Sequence, residues 1–277
     1  VKPVKEYNLS RLRSILSTGS PLSVESHEFV YRDIKKDVHL ISHSGGTDSM
    51  CNFVGGNPIG PLYAGEIQCR ILGMKVEAFD SQGNSVVNQK GELVITAPFP
   101  SEPLYFWNDE NNQKYHSTYF SRYPNAWWHG DYIEITENGG AIIYGRSDTT
   151  LNPGGVRIGT AEIYRPLECL SEIEDSVVVG QEWHGDIRVI LFVKLAEGRA
   201  LSEELIEKIT TIIRDNTTPR HIPAKIIAVD DIPYNFNGKR VELVVWNVVN
   251  NKPVPNVDSL VNPSSLDLYR NIKELQS

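Results

Sequence analysis

The chain has 277 residues, enough for a sizeable core and two domains. Its 40% hydrophobic and 22% charged content is that of soluble globular proteins and excludes a disordered chain. A formal net charge of -8 argues against a nucleic-acid surface as the main business, although a few arginines suffice for one phosphate-bearing small ligand.

The three cysteines, Cys51, Cys69 and Cys169, are widely spaced and form no CxxC pair, so they read as buried free thiols in a reducing compartment. No apolar run approaches the ~20 residues of a membrane span. The strongest, "VILFV" at 189–193, is strand-sized. The opening "VKPVKEYNLS" has no signal-peptide pattern, so a cytoplasmic location is expected; its start on valine raises the question of a preceding segment.

In chain order, "RSILSTGSPL" predicts a short buried strand turning at Gly19, Ser20 and Pro21. "SVESHEFVYRDIKK" predicts a helix with Val24, Phe29, Val30 and Ile34 near one face. "VHLISHSGG" predicts one strand ending in a glycine turn. From 61 to 147 the texture becomes all-β: "GEIQCRIL", "MKVEAFD", "GELVITA", "DYIEIT" and "AIIYG" are short strands between turn signals such as "SQGN" and "ENGG". From 161 helix and strand mix. "AEIYRPLECL" predicts a helix, "EDSVVVGQE" and "RVILFVKL" strands, and "AKIIAVDDIP" a further strand. "SEELIEKITTIIRDN" spaces Leu205, Ile206, Ile209, Ile212 and Ile213 along a helix capped by Ser202. A proline- and asparagine-rich tail ends in a helix-like "LDLYRNIKEL". The break in texture falls on "GRSDTTLNPGGVRIGTAEIY", residues 145–164, which reads as an interdomain linker.

Several charged residues carry two readings. Asp131 in "WWHGDYIEI" is either a turn residue or a carboxylate accepting two ribose hydroxyls. Thr47 and Asp48 in "SGGTD" form either a glycine turn with a helix cap, or a hydroxyl for a phosphate beside a carboxylate for Mg²⁺. Arg146, Arg157 and Lys239, each taken alone, read as solvated loop charges. The seven histidines offer no chelating pair; His39 and His43 share a strand-like segment whose spacing holds them too far apart for one metal.

Together, "ILSTGSPL", "SGGTD", "GELVI", "FWND", "HGDY", "GRSDTTLNPGGVRIGTAEIY", a distal GK and the tail "NPSSLDLYRNIKELQ" resemble the later core motifs of the adenylate-forming superfamily, and within it the C-terminal part of the acetoacetyl-CoA synthetase family. The resemblance covers nearly the whole chain. It implies an α/β and α+β architecture. On this resemblance, residues 1–147 are expected to be the later part of a large domain, with an α/β piece at 1–60 and a β-rich, barrel-like subdomain at 61–147. Residues 148–277 are expected, on the same resemblance, to be a small mobile α+β domain hinged at Asp148.

The resemblance implies an AMP-forming acid–thiol ligase using ATP, Mg²⁺ and CoA on acetoacetate, with no nucleic-acid or membrane partner. It assigns Gly19, Ser20 and Pro21 to adenine, Thr47 to the α-phosphate, Asp48 to Mg²⁺, Asp131 and Arg146 to ribose, and Arg157 to the phosphate and CoA entrance. Gly155 lines a pantetheine tunnel, Arg214 meets the CoA nucleotide phosphate, and Lys239, following the permissive Gly238, is the adenylation lysine. Relatives acting on acetate carry tryptophan where Gly45 stands, so glycine there implies a longer acyl pocket. The glycine- and threonine-rich phosphate loop of such enzymes is absent. The chain is therefore expected to be a fragment, inactive without the N-terminal half of the same enzyme. Alternatives are another short-chain acyl-CoA synthetase, a non-catalytic nucleotide- or CoA-binding remnant, and a structural partner needing no ligand.

Overall fold

The structure is a computed structural model describing residues 2–147, 149, 151–156, 158–254 and 257–277. The chain divides into two units, Val1–Tyr144 and Gly145–Ser277.

The first unit opens with α1 (Pro3–Glu6) and β1 (Ser14–Ser17), which pairs in parallel with β2 (His39–Ser42). Leu16 of β1 is exposed, contrary to the buried strand expected, because β1 and β2 form a sheet of two strands with too little face to cover it. Between them α2 (Val24–Phe29) starts at Ser23, whose hydroxyl accepts the Ser26 N–H. It then widens into a π turn over Val30–Ile34. That widening takes the later side chains off the 3.6-residue stripe. The buried positions are therefore His27, Val30 and Asp33, whereas Val24 is exposed.

"VHLISHSGG" is two strands rather than one. After β2 the chain breaks at His43 and continues as β3 (Ser44–Gly46), which pairs antiparallel with β4 (Cys51–Gly55); β5 (Cys69–Arg70) adds to β4. Next come β6 (Val76–Phe79), β7 (Ser85–Val86), β8 (Lys90–Ile95), β9 (Trp127–Ile135) and β10 (Ala141–Arg146), forming a sheet in the order β10-β9-β8-β6-β7. The "SQGN" turn is held by Asp80, whose Oδ1 accepts the Gln82 and Asn84 amides at 2.8 and 2.9 Å. A helix that periodicity did not reveal, α3 (Gln113–Tyr119), packs Tyr115 and Tyr119 onto Trp127 and Phe99 in the core.

In the second unit, α4 (Thr160–Leu167) precedes the hairpin of β11 (Ile173–Trp183) and β12 (Asp186–Leu195), which turns through His184 and Gly185, both at positive φ. After α5 (Glu203–Asn216), β13 (Lys225–Ala228) joins β12 in parallel. Ser202 caps α5 as expected, accepting the Leu205 N–H at 3.2 Å. Strand alternation distributes the apolar runs between two cores. Val178, Leu191 and Val193 face Ile163, Leu167, Leu205, Ile209 and Ile213. Val177, Val179, Ile190 and Phe192 face α6 (Glu242–Val249) and the tail residues Leu266, Tyr269 and Leu275.

The tail is not the final helix expected. Two 3₁₀ segments, Pro263–Tyr269 and Lys273–Gln276, are separated by Asn271 at positive φ, which no helix continues through. Cys169 is also exposed, just beyond α4, while Cys51 and Cys69 are partly buried; the fully buried thiols expected are not present.

Candidate active site

The segment "SGGTD" folds as the tip of the β3–β4 hairpin, with Gly46 opposite Cys51. It is not a helix start. Met50 at φ +48 and the buried Ser49, whose hydroxyl donates to the Gly46 carbonyl at 3.2 Å, tighten the turn and leave Thr47 and Asp48 exposed. Asp48 is nevertheless fixed. Its Oδ1 accepts the Ser49 N–H at 3.0 Å, and its Oδ2 accepts the Tyr119 hydroxyl. Tyr119 is stacked on the Trp127 ring with centroids 3.5 Å apart. A carboxylate held by two donors on a rigid aromatic stack is preorganised for a cation or a phosphate-bound metal.

"HGD" lies inside β9, opposite β8. Glu92 pairs with Tyr132 and Val94 with Trp128, so four residue steps on β9 face two on β8. This is a bulge, made possible by Gly130 at φ +80. Within it His129 Nε2 stands 3.7 Å from Asp131 Oδ2, both side chains being only 11% exposed. His129 packs edge-on against Phe53 at 4.5 Å.

The two motifs, some eighty residues apart in sequence, meet. A side chain added at Gly46 would strike Asp48 Oδ1 at 2.6 Å, Ser49 Oγ at 2.7 Å and His129 Cε1 at 3.0 Å. The hairpin tip and the HGD bulge therefore converge where Gly46 keeps the space clear. Gly45 has a different constraint. A Cβ there would strike the Cys51 carbonyl oxygen and the Asn52 Cα at 2.6 Å, so the close approach of β3 and β4 itself demands glycine. Gly19, at φ +95, and Ser20 are exposed after β1, where Thr18 Oγ1 donates to the His43 carbonyl at 3.2 Å.

In the second unit, Arg146 is exposed at the end of β10, and Gly155 closes a short turn over Pro153–Gly155. Arg214 lies exposed in the last turn of α5, where a cation complements the helix dipole. Lys239 is exposed on a hairpin whose stem is the Tyr234–Arg240 bridge. Asn235 organises the tip: its Oδ1 accepts the Asn237 and Lys239 amides, each at 3.0 Å, and Gly238 sits at φ +70. Asp148 and Arg157 lie outside the described residues.

Sequence reasoning missed the supports. Glu92, 1% exposed, accepts Trp128 Nε1–H at 2.9 Å and pairs with Arg122 at 2.7 Å, locking β8 to β9 beside the bulge. In the second unit, Asp175 pairs with Arg240 at 2.6 Å and accepts the Tyr234 hydroxyl. Arg240 covers the Tyr164 ring at 4.6 Å. Burial raises the Tyr164 hydroxyl pKa well above its ordinary value, reinforced by Glu242. Burial alone would lower the Arg240 pKa; Asp175 and the neighbouring tyrosines outweigh it, and the net shift is upward. A charged residue three after the loop lysine, Glu242, was a visible signal, but it lacked a partner on paper.

No family model matches the sequence. Among solved structures, a benzoate CoA ligase from Burkholderia xenovorans LB400 aligns with 84% of this chain and 45% of its own at TM-score 0.70 and 25% identity. The acetoacetyl-CoA synthetase from Streptomyces lividans aligns with all of this chain and 43% of its own, at TM-score 0.90 and 37% identity. The fold is that of the C-terminal part of an adenylate-forming ligase. The acetoacetyl-CoA synthetase of Rhizobium meliloti (strain 1021) is 52% identical over 275 residues, which are 99% of this chain and 42% of the relative. The chain is a homologue of the acetoacetyl-CoA synthetases along its length and corresponds to their C-terminal part. It spans about two fifths of the length of these relatives.

Proposed function

We propose that the chain supplies the nucleotide-facing and CoA-transfer parts of an acetoacetate–CoA ligase, Val1–Tyr144 being the later part of its large domain and the second unit its mobile small domain. In the first half-reaction an acetoacetate carboxylate oxygen attacks the α-phosphorus of ATP, the bond to the bridging oxygen breaks, and pyrophosphate leaves. In the second, the CoA thiolate attacks the acyl carbon and AMP departs with the carboxylate oxygen. Thr47 meets the α-phosphate, Asp131 and Arg146 hold the ribose, and Gly19, Ser20 and Pro21 flank the adenine. Asp48 fits Mg²⁺ brought in on the phosphates, because that ion keeps several waters and needs one or two carboxylates. Lys239 neutralises charge at the α-phosphate during adenylation, and rotation about Asp148 then withdraws it. Gly155, Arg157 and Arg214 serve CoA.

The observation supporting this reading is the convergence of Asp48 and His129 on the space above Gly46, with Asp131 beside His129. Two motifs that touch one nucleotide must share one wall.

The test is a chimaera in which this chain replaces the corresponding part of the Rhizobium meliloti synthetase. The expected result is AMP and acetoacetyl-CoA formed from ATP, acetoacetate and CoA. A folded chimaera binding AMP without turnover would instead favour a non-catalytic nucleotide-binding role.

A further inference from the structure

The second unit contains a continuous polar chain that the established similarity does not explain. It begins at Thr149, next to the proposed hinge. The Thr149 hydroxyl donates to Glu242 Oε2 at 2.9 Å, and the Tyr164 hydroxyl donates to Glu242 Oε1 at 2.7 Å. Both carboxylate oxygens of Glu242 are thus engaged, each by a different segment. Tyr164 also accepts the Val178 N–H at 3.0 Å, which fixes it to β11. Arg240 lies over the Tyr164 ring and places two nitrogens on Asp175 Oδ1, Nε at 2.9 Å and Nη2 at 2.6 Å. Asp175 closes the chain by accepting the Tyr234 hydroxyl.

Tyr234 and Arg240 are the two sides of the hairpin stem that carries Lys239. One carboxylate therefore grips both sides of that stem. Glu242, at the first position of α6, ties the end of the same loop to Thr149 and to α4. The residues come from five places in the sequence and are partly buried, where hydrogen bonds to charged groups are strong and costly to leave half-made.

We propose that Asp175, Arg240, Tyr164 and Glu242 are positioning residues that fix the Lys239 hairpin to the segment at Thr149, so that the two move as one body. This rests on the reading of Lys239 as the adenylation lysine. A lysine on a hairpin whose stem is not anchored samples many positions, whereas rate stabilisation by a charge requires it to be held before the reaction. The chain of contacts supplies that restraint without touching the substrate. It also gives a physical reason for an arginine directly after the loop lysine: lysine at 240 offers a point charge, not a planar fork that can grip Asp175 while covering a ring.

Two measurements test it. The first uses this chain and needs no activity. Amide hydrogen exchange is followed at Asn235, Gly238 and Lys239, with Leu191 in the core of β12 as reference. Glu242→Gln and Asp175→Asn should speed exchange at the hairpin at least tenfold and leave Leu191 unchanged. Lys252→Gln, which removes an ion pair with Glu182 near the other end of β11 from Asp175, should leave the hairpin unchanged. Hairpin exchange unaltered by both network variants, or accelerated only together with Leu191, overturns the proposal.

The second uses the chimaeric ligase. Glu242→Gln should lower the rate of acyl-adenylate formation at least tenfold, while thioester formation from supplied acyl-adenylate stays within twofold, and Arg240→Lys should show the same split. Equal loss of both steps overturns the positioning role. A Lys239→Ala chimaera that retains adenylate formation marks a failure of the parent reading instead, and the exchange experiment then judges the network by itself.

Discussion

Gly45 shows how one residue can satisfy two explanations with opposite tests. Compared with relatives that carry tryptophan, its missing side chain suggests a longer acyl pocket. Its surroundings say that the β3–β4 pairing leaves no room for any Cβ, since the obstacle is the backbone of Cys51 and Asn52. Backbone cannot rotate out of the way as a side chain can. Gly45→Ala should therefore destabilise the chain by roughly 1–3 kcal/mol through overpacking, read as a lower urea midpoint. Unchanged stability would show that the strands accommodate the methyl group and that their pairing does not demand glycine. The contrast with Gly46 is useful, because there the atoms in the way belong to Asp48, Ser49 and His129, the side chains of the candidate site.

At the scale of elements, what was legible depended on whether the signal was local. The Ser202 cap, the Leu205–Ile209–Ile213 stripe and the β-strands between "SQGN" and "ENGG" are written in neighbouring residues, and the structure contains them. α6 was not legible because "ELVVWNVV" is apolar nearly all round; buried against the sheet and the tail, it has no polar face to betray its period. The π turn after Phe29 and the bulge at Gly130 each put extra residues into their element, which defeats a fixed period. Among the candidate site residues, Thr47, Asp48 and Asp131 stand in short motifs that can be read from the sequence. Tyr119, Glu92, Asp175 and Glu242 were not, because their importance lies in partners tens of residues away: Tyr119 reaches Asp48, and Tyr234 reaches Asp175.

The buried tyrosines give an element-scale prediction. Burial chiefly, and then nearby carboxylates, raise the hydroxyl pKa values of Tyr164, Tyr234 and Tyr269 above 10 in the folded chain. A raised folded pKa means that the stability contribution is complete below pH 10. It is lost as pH climbs from 10 toward the folded value, because the unfolded chain releases its protons first. Each such tyrosine contributes a slope of about 1.4 kcal/mol per pH unit in that window. Tyr164→Phe should remove one such slope from the alkaline limb, seen by urea unfolding at pH 9, 10 and 11. Parallel losses in the two proteins would show that the Tyr164 hydroxyl titrates normally.

At the scale of the whole molecule, the two units carry different parts of one proposed reaction. The first holds the convergence of Asp48, His129 and Asp131, and the second holds Lys239 and its supporting network. Neither set is a complete catalyst for adenylation, which must also hold the departing pyrophosphate; losing even one preorganised donor to such a charge costs about 10²–10³ in rate. The chain by itself is therefore expected to make no acetoacetyl-CoA when given acetoacetate, ATP, Mg²⁺ and CoA, and an assay for AMP and thioester checks this. Sustained turnover by the chain alone would mean that it holds the phosphates by itself.

The most direct test of the central claim is to measure the two half-reactions separately in the chimaeric ligase, with and without Lys239→Ala. The account predicts that the unsubstituted chimaera catalyses both. It also predicts that Lys239→Ala abolishes acyl-adenylate formation from ATP and acetoacetate, while transfer from supplied acetoacetyl-adenylate to CoA continues at close to its original rate. Equal loss of both steps, or adenylate formation that survives the substitution, would contradict it.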